Sequence, residues 1–144
     1  MTNIFKTYLL IATLLICSVS CTDEELSKEE ITKQKLTESP WGDPVVLVDG
    51  VDESATYLDF SIDFSDGTYT SENGEPIWAS SGTWEFKDNT GSVMILDGDL
   101  EVTVNAVDAE SLELALQWEQ TTFELEGRTR SIFGRHLFFM RKMR

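Results

Sequence analysis

Few residues of this chain are equipped for chemistry: two cysteines, Cys17 and Cys21, one histidine, His136, and a large excess of carboxylates. Thiols four apart can bridge or share a metal, but Cys17 closes a run, Tyr8 to Ile16, that has no charge and reads as a removable leader. That leaves one cysteine in the mature chain and no disulfide framework. A single histidine cannot make a multi-histidine metal site, and no serine sits in a G-x-S-x-G elbow beside it. His136 therefore reads as an ordinary strand residue. Asp97-Gly98-Asp99-Leu100-Glu101 gathers three carboxylates without the spacing of a calcium loop, and a hairpin turn explains it with fewer assumptions. Paired carboxylates for glycoside cleavage are recognised by separation in space, which sequence order does not give. No catalytic residue, metal site or cofactor is expected, and the chain reads as a non-enzyme.

The elements that position these residues begin with residues 1–20. A lysine and the amino terminus precede the apolar run, which is shorter than the roughly 20 residues a membrane-spanning helix needs. Positive start, apolar middle and small residues at the end make a secretory signal. Ser18-Val19-Ser20-Cys21 resembles the lipobox of bacterial lipoproteins, with Ser18 where leucine is usual. The resemblance implies a diacylglyceryl thioether on Cys21, loss of residues 1–20 and acylation of the new amine. Two or more acyl chains anchor stably, each buried methylene adding about 0.8 kcal/mol. The acids that follow, Asp23, Glu24 and Glu25, resemble the export signal of surface-displayed lipoproteins of the Bacteroidota. The implied address is the outer membrane, facing the cell exterior, with the periplasmic face as the alternative.

Residues 21–40 form an acidic tether. Ser27 with Glu30 three residues on fits a capping box, so a short helix is expected from about 28 to 36. Charge is divided unevenly along the chain. Residues 22–126 hold all 26 acids and four bases, a net −22, whereas 127–144 hold six bases and no acid. So acidic a surface repels a phosphate backbone, and no nucleic-acid partner is expected. The basic tail also carries Ile132, Phe133, Leu137, Phe138, Phe139 and Met140, which suggests a strand whose charges meet acids across a ladder.

Residues 41–144 are the folded domain, and their apolar period is two. Leu58 to Phe64, Leu100 to Ala106 and Leu112 to Trp118 alternate, with Trp84 and Phe86 in phase. Asp49-Gly50, Asp66-Gly67, Asn73-Gly74, Asp97-Gly98 and Asp88-Asn89-Thr90-Gly91 supply turns that tolerate positive φ. The expected strands are 45–48, 57–64, 67–71, 77–86, 92–96, 100–107, 111–119 and 135–142, with Phe123-Glu124-Leu125 extending the seventh. Sequential antiparallel strands without a helical crossover predict an all-β, up-and-down barrel, since closure removes the edges. A β-sandwich is the competing architecture.

"FSIDFSDGTYTSENG" at 60–74, "WASSGTWEF" at 78–86 and "GRHLFFMRK" at 134–142, with Leu36-Thr37, Trp41 and Leu112-Glu113-Leu114, resemble the small lipocalin-like lipoproteins of the Bacteroidota. That resemblance implies a lipocalin-like barrel of about eight strands without assigned catalytic residues. Such barrels hold small apolar ligands in the mouth. Phe60, Phe64, Trp78, Trp84 and Trp118 are the side chains expected to line a cavity, against the alternative that they simply fill the core. Two functions follow: a binding module for a small hydrophobic ligand or a partner, or a structural accessory subunit of an outer-membrane assembly. Beyond the membrane itself, reached through Cys21, the partner is such a ligand or an outer-membrane protein.

Overall fold

The computed structural model describes residues 25–120 and 133–144. Among these residues one helix, α1 (Lys28–Thr37), precedes nine strands: β1 (Trp41–Val48), β2 (Val51–Asp52), β3 (Ser61–Ser65), β4 (Thr68–Glu72), β5 (Ser81–Phe86), β6 (Val93–Leu96), β7 (Leu100–Val107), β8 (Ser111–Trp118) and β9 (Gly134–Lys142). A short 3-10 helix, Ser54–Tyr57, follows β2. From β3 to β9 each strand pairs antiparallel with the next, and β9 returns to β1. The result is a closed, antiparallel, eight-stranded lipocalin-like barrel with β2 as an added strand. Closure follows from the alternation: each strand sends every second side chain inward, and an open sheet would leave that face wet.

The closing ladder is uneven. β8 and β9 pair from Ser111↔Arg141 to Trp118↔Gly134. β1 meets β3 only through Trp41↔Ile62. The 3-10 corner fills the gap left there. Glu53 N–H donates to the Val46 carbonyl at 2.9 Å, and Val46 N–H donates to Ser54 Oγ at 3.0 Å, so the backbone of mid-β1 is not orphaned.

The differences from the sequence reading have local causes. β1 starts at Trp41 rather than 45, because a bulge between Gly42 and Val45, with Asp43 at φ +49°, lets the strand cross Pro44 without breaking its ladder to β9. Residues 57–60 are not strand, since the Asp52 carboxylate takes the Ser54 N–H at 2.9 Å and its hydroxyl at 2.6 Å and starts the 3-10 turn. Residues 77–80 are also outside the ladder, folded back by Trp78 N–H donating to the Gly74 carbonyl at 3.0 Å. The proposed extension at Phe123-Glu124-Leu125 lies outside the described residues.

α1 sits over one end of the barrel. Ser27 caps it with the reciprocal Glu30 box, which holds the Glu30 carboxyl below its ordinary range. Leu36 is its one fully buried residue, and Trp41 Nε1–H donates to the Leu36 carbonyl at 3.0 Å. Lys33 pairs with Asp66, and Lys35 Nζ donates to the Val107 carbonyl at 3.4 Å. These contacts and the ion pair of Lys142 with Glu38, 3.2 Å, gather α1 and the end of β9 at the same pole.

The basic tail is a strand, but its charges do not meet acids as expected. Register places Arg135 opposite Gln117 and Arg141 opposite Ser111. Among the described residues, the ion pair it makes through Lys142 reaches the end of the helix instead of a neighbouring strand.

Candidate functional site

The barrel interior divides into two aromatic clusters. Toward the helix-capped end, Phe64, Tyr69, Trp84 and Phe86 stack edge to face or tilted at 5.2 to 6.3 Å. Toward the far end, Phe138 is the hub: Tyr57 lies at 5.1 Å, Trp78 at 5.5 Å, Phe60 at 5.8 Å and His136 at 5.9 Å. Of the five side chains expected to line a cavity, Phe64 and Trp84 therefore belong to the capped end and Phe60 and Trp78 to the far end. Trp118, the last residue of β8, stands opposite Gly134.

Polar satisfaction separates the two ends. Trp41 donates to the Leu36 carbonyl, and Trp84 Nε1–H donates to the carbonyls of Ser65 (2.8 Å) and Thr68 (3.0 Å). Tyr69 OH donates to Asp97 Oδ2 at 2.7 Å, while Asp97 Oδ1 accepts Thr83 N–H at 2.9 Å. This bridge passes over Gly82, where a Cβ would lie 2.6 Å from the Tyr69 ring, so glycine is required by close approach. It also accounts for Asp97 as a turn carboxylate. Tyr69 is held protonated by burial first and by Asp97 second.

At the far end three buried nitrogens have no partner among the described residues: Trp78 Nε1, Trp118 Nε1 and His136 Nε2. Such atoms are rare in native interiors, and each carries a desolvation cost of about 1–3 kcal/mol until a partner arrives. Trp78 and His136 are fully buried and Trp118 is 9% exposed. His136 faces inward because Gly134, His136, Phe138 and Met140 share one side of β9. Its Nδ1 lies 3.1 Å from the Gly134 carbonyl. A carbonyl only accepts, so Nδ1 carries the hydrogen and Nε2 of the neutral ring presents a lone pair. Burial pushes the His136 pKa down, which keeps the ring neutral. Tyr57 crosses it edge-on at 6.1 Å, and burial holds the Tyr57 phenol protonated.

Two surface clefts accompany these clusters. One, of about 430 Å³, lies at the far rim, bounded by Leu100, Trp118, Asp99, Glu101 and Glu119. The other, of about 590 Å³, runs between α1 and β5 on the outer wall, crossed by the Lys33–Asp66 ion pair. Of these two, the rim cleft is the one lined by a residue with an unpartnered nitrogen, Trp118.

Among the described residues no three histidine, cysteine or carboxylate side chains sit together as a metal site. Glu25 is exposed, while Cys21, Asp23 and Glu24 lie outside the described residues. The sequence reading took His136 for an ordinary strand residue and did not place Tyr57 or Phe138 among the cavity-lining side chains. Their signal was phase: His136 shares the inward parity of Phe138 and Met140. Compared with protein families, with curated proteins and with solved structures, the chain gives no match, so its reading rests on this geometry.

Proposed function

We propose that this protein is a lipid-anchored, non-catalytic barrel of the outer membrane, facing the cell exterior, that holds a small and largely apolar ligand at the end of the barrel remote from α1. The observation that carries the reading is the segregation of unpartnered polar atoms: both tryptophans at the capped end are hydrogen-bonded, whereas at the other end Trp78 Nε1, Trp118 Nε1 and His136 Nε2 have no partner among the described residues. Aromatic walls around a few unfilled polar positions are the usual make-up of a small-molecule site. Against catalysis, His136 is surrounded by the Gly134 carbonyl and by the rings of Tyr57 and Phe138. The anchor is supported by Cys21 directly behind the apolar leader, and surface display by the acids at 23–25.

Two measurements test this. Labelled palmitate is expected in the wild type and absent from Cys21→Ser, and neutralising Asp23, Glu24 and Glu25 is expected to protect the protein from protease added to whole cells. Purified protein is expected to take up a fluorescent acyl-chain or neutral naphthylamine probe with a change in tryptophan emission. Failure of both probes to bind would refute the ligand. The accessory-subunit reading has its own support in the outer wall, where Val45, Leu47, Leu137 and Phe139 form cross-strand pairs between Arg135 and Arg141, with Val45 50% and Phe139 37% exposed. Under that reading an outer-membrane protein co-purifies with the wild type and is lost from Phe139→Asp, with probe uptake absent in both.

A further inference from the structure

The three unpartnered nitrogens at the far end prescribe the polar chemistry of what they bind. Trp78 Nε1 and Trp118 Nε1 are donors with no acceptor capacity, and His136 Nε2, with Nδ1–H turned to the Gly134 carbonyl, is an acceptor. The inventory is two donors and one acceptor. A hydroxyl is the complement of that set, one O–H to give and two lone pairs to receive. An ether, ester or ketone oxygen satisfies the indoles and leaves the histidine bare. A hydrocarbon leaves all three bare.

Placement supports a shared occupant. Trp78 and His136 both pack on the Phe138 ring, at 5.5 and 5.9 Å. Trp118 is directly across the ladder from Gly134, so it is the diagonal neighbour of His136 on the same inward face. The surrounding core is apolar: Tyr57, Phe60 and Phe138, with Val48 and Leu116 across the ladders from His136. Trp118 also borders the rim cleft, so one of the three residues stands at the edge of a surface opening.

We propose that this end of the barrel binds an apolar molecule that terminates in a hydroxyl group, with the hydroxyl donating to His136 Nε2 and accepting from the indole N–H groups of Trp78 and Trp118. The proposal rests on the ligand-binding reading above and specifies the polar end of that ligand. Carboxylates are disfavoured by the same inventory, because an ionised carboxylate is acceptor-only and the ring it meets is neutral. The acids at the cleft, Asp99 and Glu119, repel it further, while Glu101 is paired with Lys87.

The test uses three probes of one chain length, 1-decanol, decyl methyl ether and decane, each competed against a bound fluorescent naphthylamine at pH 7.5. The alcohol is expected to bind at least tenfold tighter than the ether, and the ether tighter than the alkane. His136→Phe keeps an aromatic ring on Phe138 and removes the acceptor, so the alcohol and ether are expected to converge. Trp118→Phe is expected to weaken both the alcohol and the ether. Circular dichroism of each variant checks that the barrel persists. Equal affinity of alcohol and ether in the wild type overturns the hydroxyl assignment while leaving an apolar ligand in place. No binding by any probe overturns both. A crystal structure grown with decanol in which ordered water alone satisfies the three nitrogens also overturns it.

Discussion

His136 shows how a residue's environment outweighs its type. In a solvent-facing position its ring would titrate near pH 6.5. Inside the barrel, burial depresses that value, and the Gly134 carbonyl and the more distant Asp49 and Glu53 only partly oppose it. The sign of the consequence follows from proton counting. Between the unfolded pKa and the lower folded one, the unfolded chain binds the proton and the folded chain does not, so stability rises with pH across this window. The contribution is fully present above about pH 6.5 and is lost as pH falls below it. Urea melts at pH 7.5 and pH 5 are expected to show wild type losing more stability than His136→Phe over that interval. Equal losses would mean that the ring is solvated or already charged. Depressed carboxyls such as Asp52, Asp88 and Asp108 act in the same direction at lower pH, as they take up protons, so the two windows separate. From sequence, His136 was visible only as a lone histidine among strand residues. Its parity with Phe138 and Met140 placed it inward, but nothing in residue order reveals that Trp41 and Trp84 find carbonyls while Trp78 and Trp118 do not. That difference is set by which loops return to which end.

At the scale of elements, the strands were legible because alternation and burial are the same fact seen twice. β7 and β8 follow the sequence pattern nearly residue for residue. Where the reading overran, at 57–60 and 77–80, apolar residues continue but local side chains and turns capture the backbone, as Asp52 does for Ser54. The mismatch of charges on β9 has a different origin. Opposite-charge pairing requires a register, and register is fixed by the inward aromatics, which leave Arg135 and Arg141 beside Gln117 and Ser111. Helix α1 was legible from its capping box, though its apolar residues are spaced poorly for a helix face. The structure resolves this: Leu36 alone is buried, while Leu26 and Ile31 are exposed. The helix is thus held by one apolar plug, the Trp41 hydrogen bond and the two lysines. Leu36→Ala is expected to cost about 2–5 kcal/mol, with accelerated proteolysis between residues 25 and 40. A loss below about 0.5 kcal/mol in chemical denaturation would show that α1 does not contribute to the barrel's stability.

At the scale of the molecule, the barrel is closed but not equally strong around its girth. The β1–β3 junction relies on Trp41↔Ile62 and on the Ser54 corner, whereas β8 and β9 pair along their length. Local openings follow the weakest paired boundary. Hydrogen exchange is therefore expected to be faster at Val46 and Ile62 than at Leu114 and Phe138, and Ser54→Ala is expected to raise exchange at Val46 several-fold without changing β8. Uniform exchange across all four positions would show that opening requires global unfolding. Barrel and sandwich could not be separated in the sequence because both satisfy the same alternation. The deciding fact is the pairing of the first strand with the last, a contact between residues nearly a hundred positions apart.

An even number of barrel strands has a directional consequence. Seven reversals join the eight strands, so the last strand ends at the pole where the first began, and α1 lies there too. The three lone nitrogens lie toward the opposite pole, roughly 20–25 Å away for strands of eight residues. With the proposed lipid on Cys21, the molecule resembles a buoy: the mooring line leaves from below and the receiving deck faces away from the bilayer. Tether length then governs stand-off height, while the parity of the weave determines which pole looks outward.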